Sequence, residues 1–474
     1  MTAAETESSP RDTSFFGHPK GLGYLAFTEA WERFSYYGMT SMLALYMIGQ
    51  LLTPGHAENV LGLAALRHAL EFRGPIGNQA FASLIFGWYS GLVYFTPVLG
   101  GLIADRWLGA RRTVVVGALL MSAGHIAMAF DASFLIALVL LIVGSGCLKG
   151  NISAQVGHLY PAAAESWRTQ GYTIFSAAIN VGAVLGPLGC GALAAAYGWH
   201  YGFGLAGALM ILALIIYLAG QRYLPDGARA SKSHHHPPLT PAERTRTWML
   251  ILVIVLTVLP NIAYPMIWNV GIVWISEHVS RATPWGEIPA GWFNSVDAFA
   301  SIVAVPPLVA LWRWQARRGQ EPGDIAKIGI GAALTGISAL VITAGCLLTP
   351  AGSRVAVLWP LLSFAGMGVA FLYFWPVLLA LISEAAPAKM NATLMGGAFL
   401  SLFVGSVLMG WVGSFYSQMT PARFWALDGA IGLAGGILVF LFKDAISAAL
   451  GRDDPPADTT SSDSSQPLVS ADQT

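Results

Sequence analysis

Residues 27–38 read FTEAWERFSYYG. Two carboxylates, a guanidinium and two phenols stand at the head of MTSMLALYMIGQLL, which is almost wholly apolar. A helical residue advances about 100°. With Glu29 at 0°, Glu32 falls near about 300°, Arg33 about 40°, Tyr36 about 340° and Tyr37 about 80°. That is one polar stripe roughly 140° wide, with Thr28, Ala30 and Phe34 behind it to meet lipid or a neighbour. Glu29 and Arg33 form an i,i+4 pair in the favoured order. Glu32 is then left without a counter-charge, and a lone ionised group in hydrocarbon costs from ~3 to over 10 kcal/mol. It must protonate or find a second cation. Lys149, in the otherwise apolar GSGCLKGNISAQVGHLY, is available. Such a set could take up and release protons beside cations able to hold a carboxylate. It could equally be an internal salt-bridge cluster that only joins helices.

The rest of the chain explains why the stripe must turn inward. Of 474 residues, 55% are hydrophobic and 11% charged, against about 25% charged in soluble domains. Mean hydropathy is +0.60. This composition belongs in a bilayer. A formal net charge of zero supplies no field for nucleic acid. Cys147, Cys190 and Cys346 lie inside apolar runs without disulfide or metal spacing and read as small core residues. The start, MTAAETESSPRDTSFFGHPKG, is polar and lacks an h-region or A-x-A site, so the first apolar segment is expected to remain as a span. Three adjacent histidines, 234–236, sit in a Ser/Pro linker and do not converge on one ion. No metal or cofactor is expected beyond protons as the coupling ion. The chain has no H-E-x-x-H, no G-x-S-x-G and no Gly-rich phosphate loop before a helix, so no catalytic residues and no enzyme are expected.

Stretches of about 20 apolar residues occur at 21–51, 79–104, 113–131, 134–158, 170–195, 201–219, 247–277, 290–314, 325–347, 355–384, 391–418 and 423–443. Twelve spans put both termini on one side. The loops DRWLGARR (105–112), 228–246 and 313–327 are basic, whereas the opposite set holds chiefly Arg67, Arg73, Arg281 and Arg354. The positive-inside rule places the first set and both termini in the cytoplasm. The expected fold class is all-α integral membrane. A polar tail (1–20) leads into six spans (21–219), a cytoplasmic linker (220–246), six more spans (247–447) and a disordered Pro/Ser-rich tail (448–474). A basic loop follows the second span of each half, a faint internal repeat.

The six-plus-six plan, with GGLIADRWLGARR after span two, resembles the major facilitator superfamily. There this motif braces spans at the cytoplasmic side, which implies gating for Asp105, Arg106, Arg111 and Arg112. E-x-x-E-R-F-x-Y-Y, from Glu29 to Tyr37, resembles closely the proton-dependent oligopeptide transporter (POT) family. The likeness continues through GWYSGLVYFTPVLGGLIADRWLG (87–109), LKGNISAQVGHLY (148–160) and YTIFSAAINVGAVLGPLGCGALAAAYGWHYGFGLAG (172–207). It implies proton binding and coupling at Glu29 and Glu32, and a positive patch for a peptide carboxylate at Arg33 and Lys149. It also implies a pocket lined by Tyr36, Tyr37 and Tyr94, with Asn180 hydrogen-bonding the peptide. The implied protein is a monomeric symporter of di- or tripeptides in the cell (inner) membrane. It would work by alternating access, with twelve helices rather than fourteen because 220–246 is too short and polar for two more.

The second half departs from that family. Its tenth-helix pattern, G-E-L-x-x-S-P, aligned on Pro376, puts Phe371 at the Glu and Trp375 at the Ser. Its seventh-helix E-Q-x-G-S meets Trp268 and Asn269. Its eighth-helix W-F-Q-S-x-N-P is WFNSVDA here, with Asn294 and Asp297 as further substrate-binding candidates. Asp297 reads as the one carboxylate well inside a second-half span. It either takes over the amine-facing anion or is paired to a backbone or serine donor. Phe371, Trp375 and Trp268 would narrow the pocket, which suits hydrophobic dipeptides or a non-peptide cargo: an amino-acid derivative, organic acid or drug-like molecule. A non-transporting sensor on the same fold would be expected to lose Glu29, Glu32, Arg33 and Lys149, all of which are present.

Overall fold

A computed structural model describes residues 13–71, 74–161, 164–224 and 238–451. The histidine run at 234–236, residues 225–237 of the linker and most of both tails lie outside these residues. The described residues are 83% helical. In order, the long helices are α1 (Lys20–Tyr46), α2 (Asn78–Ile103), α3 (Ala110–Ala127), α4 (Phe134–His158), α5 (Glu165–Tyr197), α6 (Trp199–Gly220), α7 (the run Pro241–His278), α8 (Asn294–Ala316), α9 (Asp324–Leu348), α10 (Leu358–Ala385), α11 (Asn391–Gly413) and α12 (Pro421–Leu450). Among the described residues, ten helices are long and apolar enough to cross a membrane. α1, diluted by its charges and hydroxyls, and α3, which is short and opens on Arg111 and Arg112, fall outside that class.

Several expected boundaries move. Thr240 caps α7 through a capping box with Glu243: the Glu243 N–H donates to Thr240 Oγ1 (3.2 Å) and the Thr240 N–H to Glu243 Oε2 (2.8 Å). α7 therefore begins at Pro241, well before 247, and the linker is shorter than 220–246. α12 continues to Leu450, stopped by Gly451 at φ 68°, so the tail does not start at 448. Part of the expected 1–20 tail is packed: His18 is buried and bonded to the Tyr160 hydroxyl (2.9 Å), with Trp167 stacked on its ring. A short helix, Leu63–Leu70, and a hairpin of Ala282–Thr283 with Gly286–Glu287 were not legible in the hydropathy pattern.

α7 is one run by composition and a broken one in space. The helix is interrupted at Thr257 and again after Ala263, where Pro265 cannot donate a backbone hydrogen bond, and resumes through a wide turn at Ile267–Gly271. The break turns Tyr264 and Trp268 towards the middle of the molecule.

The back of the α1 stripe meets protein rather than lipid. Thr28 and Phe34 are both buried. Ala30, Phe34 and Gly38 lie along a groove of α5 made by Gly182, Gly186 and Cys190, one helical turn apart. A Cβ on Gly182 would come 2.7 Å from Arg33 Cβ, and one on Gly186 2.9 Å from the Gly38 nitrogen. Small residues at this spacing let two helix backbones touch where apolar burial alone gives little drive. The groove also positions Arg33. Gly186→Leu is therefore expected to separate α1 from α5, lowering the unfolding midpoint in detergent. Overpacking costs typically about 1–3 kcal/mol, whereas a fluorescence-monitored melt unchanged from wild type would refute the packing role.

Candidate functional site

α1 brings Glu29, Glu32 and Arg33 together as its periodicity requires, and α2, α4, α5 and α6 bury them: the three residues are 4%, 0% and 6% exposed. Arg33 Nε donates to Glu32 Oε2 and lies 3.2 Å from Glu29 Oε1. One guanidinium thus serves two carboxylates. Among the described residues, Glu29 Oε2, Glu32 Oε1 and Arg33 Nη2 have no hydrogen-bond partner. Lys149 makes no direct ion pair with Glu32 among the described residues. Its Nζ sits over the ring of Tyr36, 4.3 Å from the centroid, and 5.4 Å from that of Tyr94, and it forms no ion pair among the described residues. A cation on an aromatic face is held by the ring quadrupole and stays free of carboxylate. Arg33 faces Tyr36 as well, at 5.4 Å. Tyr36 and Tyr37 meet edge to face at 5.1 Å. Tyr89, buried on α2, belongs to the same aromatic wall and was not singled out from the sequence.

Across from this cluster, Trp268 of the broken α7 tilts against Tyr37 with centroids 5.4 Å apart. Asp297 on α8 is 3% exposed. Its Oδ2 accepts from the Tyr264 hydroxyl (2.9 Å) and its Oδ1 from the Ala298 N–H (2.7 Å). Its partners thus include a phenol and a backbone amide, and no serine donates to its carboxylate among the described residues. Tyr264 escaped the sequence reading; its only signal was a polar aromatic between two prolines, in PNIAYP, inside a span. Phe371 stacks on Tyr264 (5.5 Å, 28°), so the residue at the missing glutamate's position now walls the phenol that holds the aspartate. Asn294, one turn before Asp297, is fully buried with both amide atoms unpartnered.

Other candidates sit apart. Trp375 packs on Phe399 of α11 (5.7 Å) rather than on the Asp297 group. Asn180 is half-buried on α5 and makes no hydrogen bond among the described residues. Asp105, Arg106 and Arg112 are exposed around the turn from α2 to α3 and join no described ion pair; Arg111 is half-buried. Asp297 is not the only carboxylate within a second-half span. Asp428 of α12 is fully buried with neither oxygen partnered among the described residues; lying inside the expected span 423–443, it carried the same signal as Asp297, a carboxylate in an apolar run. Among the described residues no group of three His, Cys, Asp or Glu side chains is placed to hold a metal.

A polar cluster buried between long apolar helices, faced by a second charged group from the other half of the chain, defines a membrane transporter class. Solved structures of a peptide transporter POT superpose on this fold: one in complex with sulfate (TM-score 0.81, 25% identity, 93% of this chain and 97% of that one) and a variant in complex with alafosfalin (TM-score 0.81, 26% identity, 92% and 96%). The chain belongs to the POT family. The family model matches residues 111–234 and 239–426. A di-/tripeptide transporter of Lactococcus lactis subsp. lactis (strain IL1403) is 31% identical over 93% of this chain and 98% of its own.

Tyr264→Phe should leave Asp297 Oδ2 without its donor in a buried setting, at a cost of about 1–3 kcal/mol. In a double-mutant cycle with Asp297→Asn, measured by chemical unfolding in detergent, the two effects should fall short of additive; strict additivity would mean the bond contributes nothing.

Proposed function

We propose that this protein is a proton-coupled symporter that imports di- or tripeptides across the cell membrane by alternating access. The observation that carries the proposal is the sharing of one buried guanidinium by Glu29 and Glu32, facing Asp297 across the Tyr37–Trp268 contact. A peptide is a zwitterion, and its site needs a cation at one end, an anion at the other and amide partners between. With both glutamates ionised, Arg33 is neutralised. Protonation at Glu32 releases Arg33 to join Lys149, already free of carboxylate, in holding the peptide carboxylate. Asp297 takes the amine, with Tyr264 orienting it and the spare Asn294 amide within one turn. Substrate then links the two halves and favours closure around itself. Each proton entering down the membrane potential contributes about 2.3 kcal/mol per 100 mV.

In this reading α1 and α3 cross the bilayer with the other ten helices, in two bundles of six joined by the 220–246 region. Both termini and the Asp105–Arg112 loop are cytoplasmic. The segment holding the exposed Asp105, Arg106 and Arg112 and the half-buried Arg111 braces the cytoplasmic side in the opposite state of the cycle. The protein acts as a monomer in the inner membrane, without a cofactor or metal.

A second reading keeps the coupling and changes the cargo. Phe371 stacked on Tyr264 makes the second-half pole aromatic and narrow, which suits a hydrophobic dipeptide or a small non-peptide amine. A thermal-stability screen of di- and tripeptides against amino-acid derivatives and organic acids separates them: stabilisation by non-peptides alone would replace the peptide assignment.

In proteoliposomes, Glu32→Gln should abolish accumulation driven by a pH gradient while sparing counterflow exchange; persistent uphill uptake would sink the coupling scheme. Asp297→Asn should raise the KM for a dipeptide at least tenfold, with little change for a substrate lacking the amine, and an unchanged KM would remove Asp297 from the site.

A further inference from the structure

The two halves of the chain meet most closely away from the charged cluster, at the end carrying the Leu63–Leu70 helix and the 282–287 hairpin. There α2 crosses α11 with no side chain between them. A Cβ on Gly87 would stand 2.6 Å from Gly410 Cα and 2.8 Å from the Ser406 carbonyl oxygen; one on Gly410 would stand 2.8 Å from Gly87 Cα and from the Ser83 carbonyl oxygen. Polar links flank the crossing. The Ser83 hydroxyl donates to the Gly410 carbonyl (2.9 Å) and accepts from Asn269 Nδ2 (2.7 Å), and Gln79 Nε2 donates to the Gly413 carbonyl (3.0 Å). On the other side of the molecule, Trp292 Nε1 and the Ser295 hydroxyl of the α8 end donate to the Leu188 and Val184 carbonyls of α5 (2.9 and 2.7 Å).

Along the same two helices the approach relaxes in the other direction. Phe95 and Phe403 are in ring contact at 5.4 Å, and a Cβ on Gly101 or Gly396 would meet nothing within 4 Å. α2 and α11 are thus pinned at one end.

We propose that Gly87 and Gly410 form the seam of the outer gate, two positioning residues that let the outer end close over the occupied site. The inference rests on the transport reading and adds to it the element that seals one side. A backbone-to-backbone seam suits a gate. It excludes water by direct contact, and it parts without unthreading interlocked side chains, leaving only a few hydrogen bonds for water to replace. Any side chain at either glycine holds the helices apart, because the atoms opposing it are backbone and cannot rotate away. Gln79, Ser83 and Asn269 set the register in which the glycines meet.

The test places spin labels at Leu61→Cys and Trp285→Cys, exposed positions on the outer ends of the two halves (62% and 94%), and reads their separation by pulsed electron resonance. It uses the full-length protein in nanodiscs without substrate, alongside gradient-driven uptake in proteoliposomes. Gly87→Ala is expected to shift the distance distribution to longer values and to lower uptake at least tenfold. Ser83→Ala, which adds no bulk and so guards against misfolding, should shift it the same way by a smaller amount. Gly396→Ala, where the new methyl meets open space, should leave both readouts at wild-type levels. Wild-type distances in both Gly87→Ala and Ser83→Ala would overturn the gate, as would wild-type uptake in Gly87→Ala. A lengthened distance in Gly87→Ala, in a protein whose wild type takes up no peptide, supports the gate and overturns the peptide reading alone.

Discussion

The structure is organised around one buried guanidinium. Arg33 is bonded to Glu32 and Glu29 at once, in surroundings that admit almost no water. Two carboxylates around a single cation leave an excess negative charge that the low-dielectric interior opposes strongly. The cluster is therefore poised between arrangements: a proton on either glutamate, or another cation nearby, relieves it. Lys149 stays near the cluster without a direct ion pair among the described residues, its ammonium lying over the Tyr36 and Tyr94 rings.

Everything near the cluster follows from having to bury it. α1 cannot face lipid with its charges, so its opposite face is pressed into the glycine groove of α5, and its flanks are closed by α2, α4 and α6. The same use of glycine recurs where α2 meets α11. In the first place, small residues make a permanent contact within one half. In the second they make a contact between halves, secured by hydrogen bonds few enough to exchange. Close backbone approach serves stability in one setting and motion in the other, and the difference lies in what surrounds it.

The second half sets one buried carboxylate against aromatic side chains. Where relatives' patterns lead one to look for a glutamate on the tenth helix, Phe371 stands, and it stacks on Tyr264, whose hydroxyl is bonded to Asp297 on α8. The carboxylate stands on α8, and the aromatic on α10 walls the phenol bonded to it. Reading Asp297 as a candidate required only noticing a carboxylate in an apolar run. Finding Tyr264 required the break in α7, because a tyrosine near two prolines has no preferred direction until the chain is bent.

Sequence alone determined the helical, membrane-embedded character, the approximate spans and the polar stripe of α1. These depend on composition and on a periodicity of 3.6 residues, both local properties. It also marked Asp297, since charge in an apolar segment is costly wherever the segment ends up. Tertiary structure alone decided that Lys149 would rest on tyrosine faces, that Trp375 would turn away to Phe399, that Asp428 would be sealed without a partner among the described residues, and that His18, near the end of the 1–20 segment, would pack against Tyr160 and Trp167. Each is a choice among neighbours brought together from distant parts of the chain, and energies of pairing depend on distances that no local pattern contains. The glycine seam is the plainest case: Gly87 and Gly410 are unremarkable where they stand in the sequence, and acquire a role only because folding sets one backbone against the other.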